Sequence, residues 1–141
     1  MKILIVDDDP FCRRMLKTII ASEPDQHQIT EAVDGNEAWS LLNNTSRYFD
    51  VVFLDVSMPP PDGLKLLGLI RESPLLRSVR VVMCTAASDK VTVENVIQLG
   101  ARHFVVKPAT PPLIQNKLKQ LQAEIAEEAP ESAKFSSFRP A

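Results

Sequence analysis

Carboxylate, hydroxyl and ammonium side chains follow four short apolar runs of this sequence. The acidic triplet Asp7-Asp8-Asp9 follows the first run, and the other runs lead into Asp55, Thr85 and Lys107. Two carboxylates about 5 Å apart repel by roughly 3 kcal/mol at an effective dielectric of about 20, so without a cation at least one should have a raised pKa. Mg²⁺ relieves such repulsion and accepts carboxylate and phosphate oxygens together. Because a lysine and a threonine suit phosphoryl oxygens, the set predicts magnesium-dependent phosphate chemistry.

Each of these residues alone also has an ordinary structural explanation. An acidic cluster or a single aspartate after a strand is most often a helix cap or a solvated turn. Thr85 by itself is typical of a turn, and Lys107 of an exposed loop. Their joint occurrence favours a functional site, provided that the chain brings the four runs side by side.

The apolar runs have the length and composition of buried β-strands. Three of them are nearly unbroken and rich in β-branched residues, which is typical of parallel strands covered on both faces. A fifth and more polar strand is predicted before residue 34, and its polarity indicates an edge of the sheet. The predicted strands are Ile3–Val6, Gln28–Val33, Val51–Leu54, Val81–Cys84 and Phe104–Val106.

Helical patterns fill the segments between these strands. Asp9 followed by Pro10 predicts the start of the first helix, and the pairs Asp34-Gly35 and Asp62-Gly63 precede the next two. A fourth helix is predicted over residues 89–99, before Gly100. A fifth opens at Thr110-Pro111 and continues to Ile125.

Five successive strand–helix units predict an α/β domain with a doubly wound parallel sheet. The apolar strands belong in the middle and the polar second strand at an edge, which the order 2-1-3-4-5 satisfies. This is the flavodoxin-like arrangement, a three-layer sandwich with helices on both faces of five strands. Such sheets bind ligands beyond the carboxyl ends of their strands, where the strand order reverses. The topology therefore gathers the polar residues in one crevice, between the first and third strands.

Size and composition limit the class of protein. The chain has 141 residues and a formal net charge of −2, which gives no electrostatic case for binding nucleic acid. The apolar run before Asp7 is too short for a signal peptide or a membrane span. Residues 1–125 are expected to form one domain, and residues 126–141 a flexible tail or linker. Cys12 and Cys84 lack disulfide or metal spacing, which predicts two buried thiols in the cytoplasm.

These motifs closely resemble the receiver domain of bacterial two-component response regulators, in particular the single-domain chemotaxis type. The resemblance covers residues 1–125, with the order and spacing of its motifs preserved. The matching pieces are Ile5-Val6-Asp7-Asp8-Asp9, Asp55 with Met58-Pro59 and Asp62-Gly63, Thr85-Ala86, Gly100-Ala101, and Phe104-Val105-Val106-Lys107-Pro108.

The resemblance implies a role for each matching residue. Asp55 is expected to accept a phosphoryl group, with Thr85 and Lys107 binding its oxygens. The expected Mg²⁺ ligands are Asp7, Asp8, Asp55 and the backbone carbonyl of Ser57, with Asp8 a more direct ligand than Asp7. Asp9 falls outside the family's acidic pair and is expected only to cap the helix. The Lys107–Pro108 peptide bond is expected to be cis.

The resemblance also implies how the signal enters and leaves. The donor is expected to be a phosphohistidine on a sensor histidine kinase or a histidine phosphotransfer protein. The chain would catalyse only its own phosphorylation and slow dephosphorylation, and small residues at Ser57 and Ala87 predict a phosphorylated lifetime of minutes. In the family, a threonine and a buried aromatic residue, here Thr85 and Phe104, then change the surface of helix 4, strand 5 and helix 5. That surface would bind an output protein or a second copy, and neither nucleic acid nor membrane is expected as a direct partner.

Other functions fit parts of this pattern. A phosphohydrolase of the haloacid-dehalogenase type needs an Asp-x-Asp-x-Thr motif, which fails because Asp9 is followed by Pro10-Phe11. A flavin-binding domain needs a loop rich in Gly, Ser and Thr there. A receiver fold that no longer accepts phosphate is disfavoured by the complete set of polar residues.

Several residues keep simpler alternatives. Phe104 could be an ordinary core residue. His27 and His103 are expected to be structural or exposed, although His103 could join an output surface beside Phe104. The tail residues Phe135 and Phe138 could dock on a partner or on the domain itself. No output domain is visible in the sequence, which favours a stand-alone receiver over one part of a longer protein.

Overall fold

The computed structural model describes residues 1–44, 46–86 and 90–128, without the side chains of residues 90–93. Strands and helices alternate along the chain, as the sequence predicts, with one short 3-10 helix at Pro74–Leu76. The strands are β1 (Lys2–Val6), β2 (Gln28–Ala32), β3 (Val51–Asp55), β4 (Arg80–Ala86) and β5 (His103–Lys107). The helices are α1 (Pro10–Ala21), α2 (Gly35–Leu42), α3 (Gly63–Glu72), α4 (Lys90–Gln98) and α5 (Pro111–Glu128).

All five strands form one parallel sheet in the order β2-β1-β3-β4-β5, so the predicted order is confirmed. The polar strand β2 lies at an edge of the sheet and pairs with β1, and of its five residues Ala32 alone is fully buried. Strands β3 and β4 run slightly beyond the predicted ends. Asp55 and Thr85 are therefore residues of the strands themselves, which fixes their backbone in the sheet.

Alternating side chains of the strands build two hydrophobic cores, one on each face of the sheet. On one face, Leu4, Leu54 and Met83 pack with buried residues of α2, α3 and α4. On the other face, Ile5 and Phe53 pack with buried residues of α1 and α5. The result is the three-layer α/β sandwich that the sequence predicts.

Aspartates fix the starts of three helices. The side chains of Asp9, Asp34 and Asp62 accept hydrogen bonds from backbone N–H groups in the first turns of α1, α2 and α3. At the other end of α4, Gly100 has a φ of 89°, a conformation that favours glycine, as its predicted place after the helix requires. These local signals allow the helix boundaries to be predicted from the sequence.

Helix α5 continues past residue 125 to Glu128. Its last turns are anchored by Arg80 at the start of β4, whose guanidinium pairs with Glu124 at 3.3 Å and with Glu128 at 2.5 Å. The tail residues Phe135 and Phe138 lie outside the described residues. No described helix combines the length and apolarity that a membrane span requires.

Two expectations about individual residues are corrected. His103 lies on the α5 side of β5 and is only 3% exposed, with Nε2 2.9 Å from the Glu124 carboxylate. Because alternate residues of a strand face opposite sides, it cannot share an output surface with Phe104. Cys84 is buried as predicted, but Cys12 is partly exposed because it sits in the first turn of α1.

Candidate functional site

Two buried aspartates and one lysine meet at the carboxyl ends of β1, β3 and β5. Asp7 follows β1, whereas Asp55 and Lys107 are the last residues of β3 and β5. The Lys107 ammonium lies 3.0 Å from Asp55 Oδ1 and 3.3 Å from Asp7 Oδ2. The lysine ammonium thus bridges the carboxylates of Asp7 and Asp55, which are separated by 48 residues in the sequence. The predicted topology requires this meeting.

Asp8 completes a group of three carboxylates. One oxygen from each of Asp7, Asp8 and Asp55 lies within 4.8 Å of the others, which is close enough for a single metal ion to contact all three. Asp7 and Asp55 are buried, whereas Asp8 is exposed and open to solvent. Hard oxygen donors beside water suit Mg²⁺, which keeps several waters when it binds to proteins. The residues present therefore fit the ion that the sequence predicts.

The electrostatics of the site favour a ligand that brings positive charge. The pKa of Asp55 is raised to about 6, chiefly by burial and also by the Asp7 charge, while the Lys107 hydrogen bond acts in the opposite direction. Burial disfavours the charged form of Lys107 and acts to lower its pKa. The contacts of the ammonium with Asp55 and Asp7 outweigh burial, so the pKa of Lys107 is raised overall. One carboxyl thus has a raised pKa, as the sequence predicts, but burial contributes more to it than repulsion by Asp7.

We expect Asp55→Asn to stabilise the protein at neutral pH in the absence of divalent cations. The folded-state pKa of Asp55 is about 6, above its ordinary 3.8, so the folded state holds this proton more tightly than the unfolded state. The ionisation penalty is therefore absent below about pH 4 and complete above about pH 6. After discounting for solvent, the gain at pH 7.5 should be about 1–2 kcal/mol in the free energy of urea unfolding.

The control for this prediction is Asp25→Asn, which neutralises an exposed aspartate far from the site. It should leave the free energy of unfolding nearly unchanged at pH 7.5 and at pH 4. Adding Mg²⁺ should reduce the advantage of Asp55→Asn, because the ion stabilises the ionised wild type. An advantage that persists undiminished at pH 4 would contradict the assignment of the penalty to Asp55 ionisation.

Helix α1 fixes the position of Asp7. The backbone N–H of Asp9 donates to Asp7 Oδ1 at 2.9 Å, and the Arg13 guanidinium donates to the Asp7 carbonyl at 2.7 Å. Asp9 itself caps α1 and accepts a hydrogen bond from the Cys12 thiol at 3.3 Å. Arg13 was not predicted from sequence, although its place one turn into α1 allows it to reach back to the end of β1.

Gly63 holds the loop after Asp55 against the strand. Its backbone N–H donates to the Val56 carbonyl at 3.2 Å, and its Cα hydrogens face the backbone of Asp55. The backbone N–H of Ser57 also donates to Asp55 Oδ1 at 3.3 Å. The Asp62-Gly63 pair therefore serves the site as well as the helix, a second role that the sequence analysis did not assign.

The hydroxyl of Thr85 is buried at the end of β4 and donates to the carbonyl of Ala86 at 3.5 Å. The register of β4 and β5 places Thr85 and Phe104 on the same face of the sheet, beside Met83 and toward α4. Phe104 is 39% exposed, so neither the buried position that the resemblance implies nor the alternative of an ordinary core residue describes it in this structure. Ala87 lies outside the described residues.

Lys107 enters the site from the end of β5, directly before a loop that begins with Pro108. The Lys107–Pro108 peptide bond is cis, as the resemblance implies, and the Pro60–Pro61 bond in the loop after β3 is also cis. Asp7, Asp8, Asp55 and Lys107 are thus brought together by the fold. Thr85 lies on β4, the strand between β3 and β5.

Comparisons with known proteins agree with this arrangement. The family model of the response regulator receiver domain matches residues 3–119. A chemotaxis protein CheY of Listeria monocytogenes is 38% identical over 109 residues, which cover 77% of this chain and 87% of that protein. A CheY homologue of Campylobacter jejuni is 31% identical over 121 residues, covering 86% and 92% of the two chains.

Solved structures show the same fold. A CheY-like receiver domain protein of Methanospirillum hungatei superposes with a TM-score of 0.78 at 25% identity, covering 91% of this chain and 98% of the other. Residues 3–119 of the family match include the carboxyl ends of all five strands, where the carboxylates and the lysine meet. The chain accordingly belongs to the response regulator receiver domain family, of the chemotaxis type.

Proposed function

We propose that Asp55 accepts a phosphoryl group from a phosphohistidine of a sensor histidine kinase or a histidine phosphotransfer protein. The observation that carries this proposal is the position of Lys107 between the Asp55 and Asp7 carboxylates. An ammonium at this place can pair with a phosphoryl oxygen once Asp55 has reacted, because both groups already lie within ion-pair distance.

The reaction requires little covalent chemistry from the protein. An oxygen of the ionised Asp55 carboxylate attacks phosphorus, the phosphorus–nitrogen bond of the donor breaks, and the histidine leaves with the electron pair. Asp7, Asp8, Asp55 and the Ser57 carbonyl would hold Mg²⁺, whose positive charge would offset that of the transferred oxygens. Lys107 pairs with one of those oxygens and the Thr85 hydroxyl donates to another. The product is an aspartyl phosphate on Asp55.

A protein donor is supported by the apolar surface beside the acceptor. Phe11, in the first turn of α1, is 68% exposed and lines a mostly apolar cavity of about 290 Å³ together with Asp7 and Lys107. Apolar surface at the mouth of a charged site suits docking of another protein more than recognition of a small phosphate ester. We place this exchange in the cytoplasm, where the free thiols Cys12 and Cys84 remain reduced.

The signal is proposed to leave through Thr85 and Phe104. Movement of the Thr85 hydroxyl toward the phosphate would vacate space on the α4 side of β4. The Phe104 ring, which is partly exposed on the same face, can then turn inward and change the surface formed by α4, β5 and α5. That surface would bind an output protein or support a phosphorylation-dependent homodimer.

The proposal is tested by NMR of the full chain with Mg²⁺ and beryllofluoride, which mimics an aspartyl phosphate. We expect chemical-shift changes at Asp55, Thr85 and Lys107 that extend to Phe104. Asp55→Asn should abolish all of them. Changes of the same size in Asp55→Asn would show that the ligand binds elsewhere.

Phe104→Ala is expected to separate phosphorylation from signal output. Phosphorylation of Asp55 should proceed at the wild-type rate, because Phe104 lies outside the group of carboxylates and lysine. The chemical-shift changes of α5 on beryllofluoride binding should be reduced, with Leu75→Ala, an exposed apolar residue outside α4, β5 and α5, as the control. If those changes were fully retained, Phe104 would not transmit the signal from Asp55 to the surface of α4, β5 and α5.

The chain is proposed to be a signalling protein that modifies itself. Incubation with a generic phosphate ester should therefore give no sustained release of phosphate. Sustained turnover, lost in Asp55→Asn, would instead identify a phosphohydrolase that uses the same nucleophile.

A further inference from the structure

A second charged cavity lies at the opposite end of the sheet from Asp55. It has a volume of about 290 Å³ and opens beside the amino-terminal ends of β4 and β5. Its walls come from the end of α3, the segment before β4, the turn before β5 and the last turns of α5. The charged lining residues are Arg71, Arg77, Arg80, Arg102, Glu124 and Glu128, with His103 beneath them.

The acidic residues of this cavity already have partners. The Arg80 guanidinium pairs with Glu124 and Glu128, and His103 Nε2 also contacts the Glu124 carboxylate at 2.9 Å. Together, these contacts use one arginine to hold two carboxylates of α5. The remaining three arginines therefore give the cavity an excess of positive charge on a chain whose formal net charge is −2.

Arg71, Arg77 and Arg102 differ from Arg80 in their hydrogen-bond and ion-pair partners. Among the residues that the structure describes, none supplies a carboxylate within 4.0 Å of these three guanidinium groups. Arg71 donates instead to the Val79 carbonyl at 3.4 Å. Burial lowers the pKa of Arg71, and the nearby charge of Arg102 lowers it further. Two like charges thus line the same cavity, and an anion bound there would reduce their repulsion.

We propose that this cavity binds the diphosphate group of a small anion through Arg71, Arg77 and Arg102. Each guanidinium can donate a pair of hydrogen bonds to phosphate oxygens, and three such groups from separate elements suit two adjacent phosphates. The volume corresponds to roughly ten water molecules, so a diphosphate fits with room for part of an attached group. The shared chemistry is the diphosphate, whether it is free or part of a nucleotide.

The test is an NMR titration of the full chain with inorganic pyrophosphate, without divalent cations and at constant ionic strength. We expect saturable shifts at Arg71, Gly100 and Arg102. Arg102→Gln and Arg71→Gln should each weaken the affinity by about tenfold or more. The matched control is Arg14→Gln, which removes the same charge from α1 outside the cavity and should leave the affinity unchanged.

A parallel titration with adenosine diphosphate distinguishes the two sources of the ligand. Tighter binding than pyrophosphate would support a nucleotide ligand, and equal affinity would support recognition of the diphosphate alone. Shifts that never saturate, shifts confined to Asp55 and Lys107, or equal weakening by Arg14→Gln would each overturn the proposal. The readout does not depend on phosphorylation of Asp55, so the two proposals fail separately.

Discussion

Gly63→Ala is expected to lower the free energy of unfolding by about 3 kcal/mol, because the added methyl group has no space. An alanine Cβ would lie 2.8 Å from Val56 Cα and 2.9 Å from the Asp55 carbonyl carbon, and closer still to the Asp55 carbonyl oxygen. These are backbone atoms at the end of the central strand β3 and of the residue that follows it, so they cannot move aside as a flexible side chain can. Urea denaturation followed by circular dichroism measures the loss.

Gly68→Ala provides the matched control in the same helix. Nothing lies within 4 Å of the Cβ that this substitution would add. Since alanine favours helix more than glycine does, Gly68→Ala should raise the free energy of unfolding by up to about 1 kcal/mol. Equal effects of the two substitutions would contradict the close packing of Gly63 on the Asp55 backbone.

Lys107→Met is expected to separate metal binding from phosphoryl transfer. Removing an ammonium 3.0 Å from Asp55 and 3.3 Å from Asp7 leaves the carboxylates more negative, so Mg²⁺ should bind more tightly. The rate of phosphorylation should nevertheless fall by about a hundredfold, because one group that neutralises the transferred oxygens is missing. Magnesium titration and the rate of acyl-phosphate labelling measure the two effects.

Lys119→Met is the control for this experiment, since it removes the same charge from an exposed position on α5. It should change neither the magnesium affinity nor the labelling rate. If Lys107→Met weakened Mg²⁺ binding and labelling in parallel, the lysine would act by holding the carboxylates in place. A role for its charge on the phosphoryl group would then be contradicted.

Most of the fold was predictable because it is encoded in short segments. Apolar runs such as Val51–Leu54 indicate strands without reference to the rest of the chain, and Asp62-Gly63 indicates a helix start. Once the strands are parallel and ordered, Asp7, Asp55 and Lys107 must meet at one edge of the sheet. The site was therefore predicted through the topology.

The features missed by sequence reasoning depend on contacts between distant residues. His103 is buried because Glu124, 21 residues away, supplies a partner, and α5 extends to Glu128 because Arg80 pairs with its last turn. No local pattern in the sequence marks such pairs. The close approach of Gly63 to Asp55 is likewise visible only when the loop after β3 is in place.

The most direct test of the acceptor role is mass spectrometry of the intact chain after incubation with acetyl phosphate. With Mg²⁺, the wild type should gain one phosphoryl group, and peptide mapping after borohydride reduction should place it at Asp55. Omission of Mg²⁺ or the substitution Asp55→Asn should abolish the gain. An unmodified wild type, or a phosphoryl group that maps to another residue, would contradict the assignment of Asp55 as the phosphoryl acceptor.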